Sequence, residues 1–148
     1  MLRKTAPLLL LVPLLLAACG EVEDTRPGKP VATRQQDFKA ILRSFEPMGV
    51  QLREKRYTPD TFLKLARELD RIKAAPWSHF GPDTHYPPTR ATAKVWQEPE
   101  RFAADQETFL AAVSQLRAAA ESREEARVGP AYQAVQDSCR SCHKRFKK

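Results

Sequence analysis

The strongest constraint on this chain lies near its C-terminal end, where the sequence reads Cys139-Arg140-Ser141-Cys142-His143. Two thiols three residues apart, followed directly by an imidazole, meet the requirement for covalent attachment of a c-type haem. On a helix these positions share one face, so both thiols reach one porphyrin and the imidazole reaches its iron. The sequence therefore predicts one haem c, with Cys139 and Cys142 as thioether residues and His143 as the axial iron ligand.

A zinc half-site and a redox dithiol are the alternatives for the same motif. Zinc would need two further soft ligands, and elsewhere the chain offers only Cys19, His79 and His85. A thioredoxin-like dithiol would follow a strand, whereas the segment before Cys139 has helical periodicity. Covalent haem is the favoured interpretation.

Residues 1–18 have the composition of a bacterial export signal. Two basic residues precede the apolar run Leu8–Leu16, which is shorter than the about 20 apolar residues that span a bilayer. Small residues directly before Cys19 resemble a lipoprotein cleavage box and predict lipid on that thiol. An ordinary secretory signal, with Cys19 left free, is the alternative. Gly20, the residue after this cysteine, resembles the signal that sends lipoproteins on to the outer membrane. We therefore expect a periplasmic protein that is lipid-anchored to the outer membrane.

The chain has a net positive charge, but its basic residues are spread along the sequence. The 148 residues include 25 Lys+Arg and 18 Asp+Glu, and the formal charge of +7 falls to +5 when Arg3 and Lys4 leave with the signal. Because the charges are interleaved, we expect no nucleic-acid partner, and membrane contact only through the lipid. One basic block ends the chain. We favour its pairing with a helix C-terminus over a docking patch for an acidic redox partner.

The remaining sequence predicts a short tether and one helical domain. Residues 19–30 are charged, contain Pro and Gly, and lack apolar periodicity, which indicates a flexible tether. Residues 31–148 contain four amphipathic segments. Pro47 should kink or end the first, Thr58 should cap the second, the third should open near Pro99, and the last carries the haem motif.

Short connections between the first and second and between the third and fourth segments predict an all-α, antiparallel up-down-up-down four-helix bundle. In that topology the haem, near the C-terminus, lies beside the start of the first helix. Arg34, Phe38 and Ile41 should then line its pocket, and aromatic residues of the link between the second and third helices should cover it.

The sixth position on iron decides the function. Met48 lies ten residues beyond Phe38, about 15 Å along a helix, so we expect it to fill the core. His79 and His85 lie in a Pro-rich link and should face solvent. Phe38 is then nearest to the open face, and we predict five-coordinate iron with an apolar distal pocket. The alternative is a low-spin electron carrier that uses Met48 or a link histidine.

The sequence resembles the cytochrome c′ family, the class II c-type cytochromes, over essentially the whole of the predicted mature domain. Arg34-Gln35-Gln36-Asp37-Phe38 resembles the family's helix-one motif, and Ala75–Pro82 resembles the turn after helix two. Val95-Trp96 resembles the Ile-Trp pair before helix three. The resemblance implies that Arg34 contacts a haem propionate, Phe38 is the distal residue, and Lys147 lies on the proximal side, where many members have Arg.

The expected activity follows from the apolar pocket. It should favour small neutral ligands such as NO and CO, with electron exchange keeping the iron ferrous. A peroxidase-like enzyme would need a distal acid–base group, which only His79 or His85 offers, so we expect a gas-binding electron carrier and not an enzyme. The redox partner is not readable. The resemblance also suggests a homodimer, for which Val50 and Leu63 are exposed apolar candidates.

Overall fold

A computed structural model describes residues 22–148, so the predicted signal and Cys19 lie outside the described residues. The protein is all-α over the described range. The long helices are α1 (Pro30–Arg53), α2 (Pro59–Ile72), α4 (Pro99–Glu121) and α5 (Glu125–Phe146), and the short helix α3 is Lys94–Gln97. A 3₁₀ helix spans Ala75–His79. Of the helices within this range, none combines the length and apolar composition that crossing a bilayer requires.

The long helices form the antiparallel bundle that was predicted. α1 packs on α2, α2 on α4, and α4 on α5. The rings of Phe45 and Tyr132 stack 4.3 Å apart and join α1 to α5. The start of α1, the end of α2, the start of α4 and the end of α5 therefore meet at one end, together with the link 73–98. We call this end the motif end, because Cys139, Cys142 and His143 belong to it.

The helix starts follow from local sequence. Thr58 is extended and occupies the predicted N-cap position before Pro59, but its hydroxyl makes no capping hydrogen bond to the first turn of α2. α4 begins at Pro99. Proline suits a first turn because it has no N–H to leave unpaired and its φ is already helical. The short helix α3, just before Pro99, was not predicted.

The first helix does not end or break at Pro47. α1 continues to Arg53, and the residues on either side of the proline, Phe45, Met48 and Gly49, are buried. Pro47 itself is exposed. Burial of the opposite face outweighs the one backbone hydrogen bond that proline removes. Of the two predicted outcomes at Pro47, a kink or a helix end, the helix end was wrong.

The predicted tether is shorter than residues 19–30. Asp24 is only 2% exposed, and its Oδ2 accepts hydrogen bonds from the backbone N–H groups of Val31 (2.8 Å) and Ala32 (3.0 Å). The Tyr86 hydroxyl donates to Asp24 Oδ1 over 2.9 Å. These bonds satisfy two backbone N–H groups in the first turn of α1 that have no partner within the helix, and they fix the chain to the bundle from Asp24 onward.

Candidate haem site

The motif residues lie in the last turns of α5. Cys139 and Cys142 are half-buried free thiols, and Cys139 packs against the hydrophobic core. Phe146, one turn further, is 3% exposed and fixes the end of the helix. Because the thiols are three residues apart on a regular helix, they present one face, and His143 follows Cys142 at the exposed edge of that face.

The thiols and the imidazole of the motif have pKa values that are shifted by their surroundings. Burial raises the pKa of Cys139, and burial, followed by electrostatic repulsion from Asp105 and from an ionised Cys139, raises the pKa of Cys142 to about 11. Partial loss of hydration, then the positive charges of Lys147 and Arg90, lower the pKa of His143. Among residues 22–148, no group of three or more His, Cys, Asp or Glu side chains is placed to hold a metal ion, which does not favour the zinc alternative.

A continuous aromatic cluster lies at the motif end. It consists of Phe38, Trp77, Phe80, Phe102, Phe109 and Phe146. The Phe38 and Trp77 ring centroids are 5.4 Å apart in an edge-to-face arrangement, and Phe102 lies 5.2 Å from Phe146. Phe146 is three residues from His143, so the cluster begins beside the motif and ends on α1 at Phe38. An apolar, aromatic environment joined to two thiols and an imidazole fits a covalently bound haem.

Two tryptophans fix the link that covers the cluster. The indole N–H of Trp77 donates to the Lys73 carbonyl over 2.9 Å. The indole N–H of Trp96 donates to the Gly81 carbonyl over 2.8 Å. Each ring thus has its polar atom satisfied while its apolar surface faces other aromatic groups, which makes the cover a rigid part of the fold. Both residues were expected at this end.

Arg34 lies at the motif end, 3% exposed, but its hydrogen bonds go to the link. Nη1 donates to the His79 carbonyl and the Thr84 hydroxyl, both at 2.9 Å, and Nη2 donates to the Thr84 carbonyl (3.0 Å) and the Thr89 hydroxyl (2.5 Å). The guanidinium also lies 4.5 Å above the Phe80 ring. Its four terminal N–H groups are therefore in use, and only Nε–H is left for a propionate. The propionate role stays a prediction.

The candidate sixth ligands are placed as follows. Met48 is fully buried in the core. The His85 ring is exposed and lies 4.8 Å from the Trp96 ring. His79 lies beside α1, with Nε2 3.7 Å from Asp37 Oδ2. Phe38, by contrast, lies within the aromatic cluster, so it is an α1 side chain that belongs to the cluster beside the motif.

The end of α5 makes a contact that sequence patterns did not reveal. That Lys147 lies on the proximal side of a haem stays a prediction. Lys147 is extended and forms an antiparallel bridge with Ala91, and the Lys148 N–H donates to the Arg90 carbonyl over 2.8 Å. The Thr92 N–H donates to the Phe146 carbonyl over 2.9 Å. We call this pairing the terminal clasp. Lys147 also stays close to His143, because its N–H donates to the His143 carbonyl over 3.1 Å.

Comparison with known proteins gives one consistent family. A sequence model described as Cytochrome C' matches residues 29–147. Cytochrome c' of Rhodospirillum rubrum is 27% identical over 122 residues, covering 82% of this chain and 83% of the relative. Cytochrome c prime from Shewanella frigidimarina superposes with a TM-score of 0.80 at 26% identity, covering 84% of this chain and 98% of that structure.

A third similar structure contains a ligand. It is a nitric oxide complex of a variant of cytochrome c prime from Alcaligenes xylosoxidans, with a TM-score of 0.78 and 25% identity, covering 85% of this chain and 99% of that one. Family members carry one covalently bound haem c, and the cysteines and histidine of α5 fit that cofactor. The chain described here belongs to the cytochrome c′ family.

Proposed function

We propose that this protein is a periplasmic c-type haem protein with five-coordinate iron that binds nitric oxide or carbon monoxide and exchanges electrons. The observation that carries the proposal is the placement of Phe38 in the aromatic cluster beside the motif. A phenyl ring cannot ligate iron. Met48, ten residues further along the same unbroken helix, is about 15 Å away along the axis and buried in the core.

Different residues of the chain would bind the haem, ligate its iron and exclude water from it. Cys139 and Cys142 would hold the porphyrin, and His143 would ligate the iron from one side. Phe38 and Trp77 would exclude water and polar ligands from the other side. A haem held there supplies an iron that binds small gases and changes oxidation state by one electron.

The relatives support the gas ligands. Similar solved structures include cytochrome c prime from Alcaligenes xylosoxidans as a nitric oxide complex and as a carbon monoxide-bound variant, both at 25% identity. An apolar pocket lacks the hydrogen-bond donor that retains a polar bound ligand such as O₂, whereas NO and CO need none. We infer that the same two gases are the ligands of this chain.

The location is part of the proposal. The basic and apolar leader 1–18 and the small residues before Cys19 support export, lipid attachment and retention at the outer membrane. A homodimer through α1 and α2 also remains a proposal. Leu63 does not support it, because it is 7% exposed and belongs to the core, contrary to our expectation. Leu42 (45% exposed) and Val50 (37%) are the exposed apolar residues on α1.

The absorption spectrum of the purified reduced holoprotein tests the proposal. We expect a broad high-spin spectrum that changes on addition of NO or CO. Phe38→Ala should speed ligand association by at least tenfold, equivalent to about 1.4 kcal/mol of barrier, and Phe38→Leu should give an intermediate rate. Met48→Leu is the matched control and should leave the rate and spectrum unchanged. A sharp low-spin band in the ligand-free protein would overturn the five-coordinate assignment.

A low-spin electron carrier is the second candidate, because the His79 imidazole lies beside Asp37, the residue preceding Phe38. If His79 closed the sixth position, His79→Ala would convert a low-spin spectrum to a high-spin one. Met48→Leu would do the same if Met48 were the ligand. Peroxide turnover that disappears on replacing both His79 and His85 would instead indicate a peroxidase-like enzyme.

A further inference from the structure

We propose that the motif end is a docking surface for an anionic lipid bilayer, so that the haem-bearing end of the bundle faces the membrane. The inference rests on the lipid anchor included in the proposed function, and adds an orientation and a binding surface to it. Two independent observations carry it: where the N-terminal segment attaches to the bundle, and where the cations without carboxylate partners lie.

The first observation is the short reach from Cys19. Asp24 is buried and bonded to the first turn of α1 and to Tyr86, so the chain is fixed to the bundle from that residue onward. Five residue steps separate Cys19 from Asp24, which span at most about 18 Å when fully extended. Arg26 Nη1 also donates to the Asp83 carbonyl over 2.9 Å and ties the segment to the link.

This attachment fixes which end approaches the membrane. α1 has 24 residues, about 36 Å of helix, and its first turn belongs to the motif end. The opposite end therefore lies about twice as far from Asp24 as the longest reach of the connection. A lipid on Cys19 would hold the motif end near the headgroups while the opposite end points away.

The second observation is a group of exposed cations at the same end, which we call the basic patch. It consists of Arg90, Lys94, Lys144, Lys147 and Lys148. Among residues 22–148, no Asp or Glu carboxylate lies within ion-pair distance of any of them, and Arg90 Nη2 donates to the Lys148 backbone oxygen over 3.2 Å. By contrast, Arg26 and Arg145 at this end are paired with Asp83 and Asp105. These five cations form one group at the motif end, whereas the other exposed cations without ion-pair partners, such as Lys55, Lys64 and Arg127, lie on other parts of the bundle.

The terminal clasp makes the basic patch a fixed surface. The backbone bonds between Arg90 and Lys148, and the bridge between Ala91 and Lys147, hold the helix end and the link together. Two acidic residues without an ion-pair partner, Glu98 and Glu100, lie at the start of α4 at this end. They are outnumbered by the five cations of the basic patch, so the patch remains net positive. Our sequence interpretation, charge pairing with a helix C-terminus, does not account for Arg90 and Lys94, which lie in the link and in α3.

A bilayer is favoured over an acidic protein because the anchor already holds the patch beside a lipid surface. One lipid chain binds membranes weakly, and a polybasic surface is the usual second contribution. Each cation near an anionic surface strengthens binding by about fivefold at low ionic strength. Such attraction acts over roughly 8 Å at physiological salt, a distance that the short connection permits.

The test uses lipid-free holoprotein, so that the patch is measured without the anchor. The mature chain from residue 19, with Cys19→Ser and an ordinary cleavable export signal, is sedimented with vesicles of phosphatidylcholine alone or with 30% phosphatidylglycerol. We expect binding only to the anionic vesicles, and its loss at high salt. The triple variant Lys94→Gln, Lys144→Gln, Lys148→Gln should bind on the order of one-hundredfold more weakly.

A control variant removes the same number of positive charges from a part of the surface away from the motif end. Lys55, Lys64 and Arg127 are exposed, lack carboxylate partners among the described residues, and lie outside the motif end. Their replacement by Gln should weaken binding only a few-fold. Equal loss in both triple variants, or no preference for phosphatidylglycerol, would overturn the proposal. So would selective binding of an acidic redox protein without vesicle binding.

Separate measurements test the two proposals on which this inference rests, lipid attachment at Cys19 and gas binding at the haem. The mass of exported wild-type protein reports whether Cys19 carries lipid, and the reduced spectrum reports gas binding. Vesicle binding by the lipid-free chain depends on neither result. If the patch bound anionic vesicles but Cys19 carried no lipid, the surface would stand while the membrane-facing orientation fixed by the anchor would be refuted.

Discussion

Two helical glycines should respond in opposite ways to the same substitution. Gly49 is buried in α1, and a Cβ added there would overlap the Tyr132 hydroxyl and lie 2.8 Å from Tyr132 Cζ. Gly129, in the first turns of α5, has nothing within 4 Å of such a Cβ. Alanine should therefore destabilise the protein at the first position and not at the second.

The magnitude follows from three contributions. Replacing a helical glycine by alanine stabilises by about 1 kcal/mol on propensity alone. At Gly49 the overlap costs about 2 kcal/mol, and displacing the Tyr132 ring from its stack on Phe45 costs about another 1 kcal/mol. Gly49→Ala should thus destabilise by about 2 kcal/mol. Gly129→Ala should stabilise by about 0.5 kcal/mol, because Pro130 disfavours helical geometry for the residue before it.

Thermal unfolding of the holoproteins, followed by circular dichroism at equal haem content, measures both effects. For a domain of this size about 2 kcal/mol corresponds to a fall in Tm of roughly 6–10 °C. Adding Tyr132→Phe to Gly49→Ala removes the overlapping hydroxyl and should recover about 1 kcal/mol relative to additivity. Equal Tm values for the two alanine variants, or strict additivity in the double variant, would refute the assigned contact.

Three other predictions concern single residues. Arg34→Met leaves buried link carbonyls without donors and should cost about 2–4 kcal/mol in urea unfolding, whereas a loss below 0.5 kcal/mol would contradict the bonding described. Burial alone would raise the pKa of Asp24, but hydrogen bonds from the first turn of α1 and from Tyr86 lower it overall. The ionised Asp24 therefore contributes fully to the stability of the fold at pH values above the ordinary pKa of aspartate, and this contribution is lost as the pH falls through the lower pKa of the folded state. Asp24→Asn should flatten that part of the acid-unfolding curve, and an unchanged curve would argue against the cap. Pro47→Ala should restore an N–H donor to the Arg43 carbonyl and raise stability by about 1 kcal/mol, measured as an increase in the denaturation midpoint.

Local patterns predicted most of the fold because they act within a few residues. Thr58 and Pro59 start α2, and Pro99 starts α4, through the geometry of a first turn. The apolar spacing along α5 placed Cys139 on the core face, where it packs. Such signals depend on the backbone of one segment, so the sequence contains all the information they need.

The differences come from long-range packing. Asp24 was assigned to a tether because its neighbours are polar, but its partner Tyr86 is 62 residues away. Arg34 bonds to groups 45 to 55 residues further along, which no local pattern reveals. Pro47 would interrupt an isolated helix, yet buried neighbours on both sides keep α1 continuous.

The terminal clasp gives the last two residues an influence beyond their size. Lys148 and Lys147 hold Arg90 and Ala91 through backbone contacts, and that strand of the link leads within a few residues to Trp96, whose indole secures the cover of the aromatic cluster. Loss of the terminal clasp would therefore loosen the link at Arg90 and Ala91 and, through it, the cover of the aromatic cluster. In the proposed haem protein, a change at the end of α5 would then be detected as altered kinetics of gas binding.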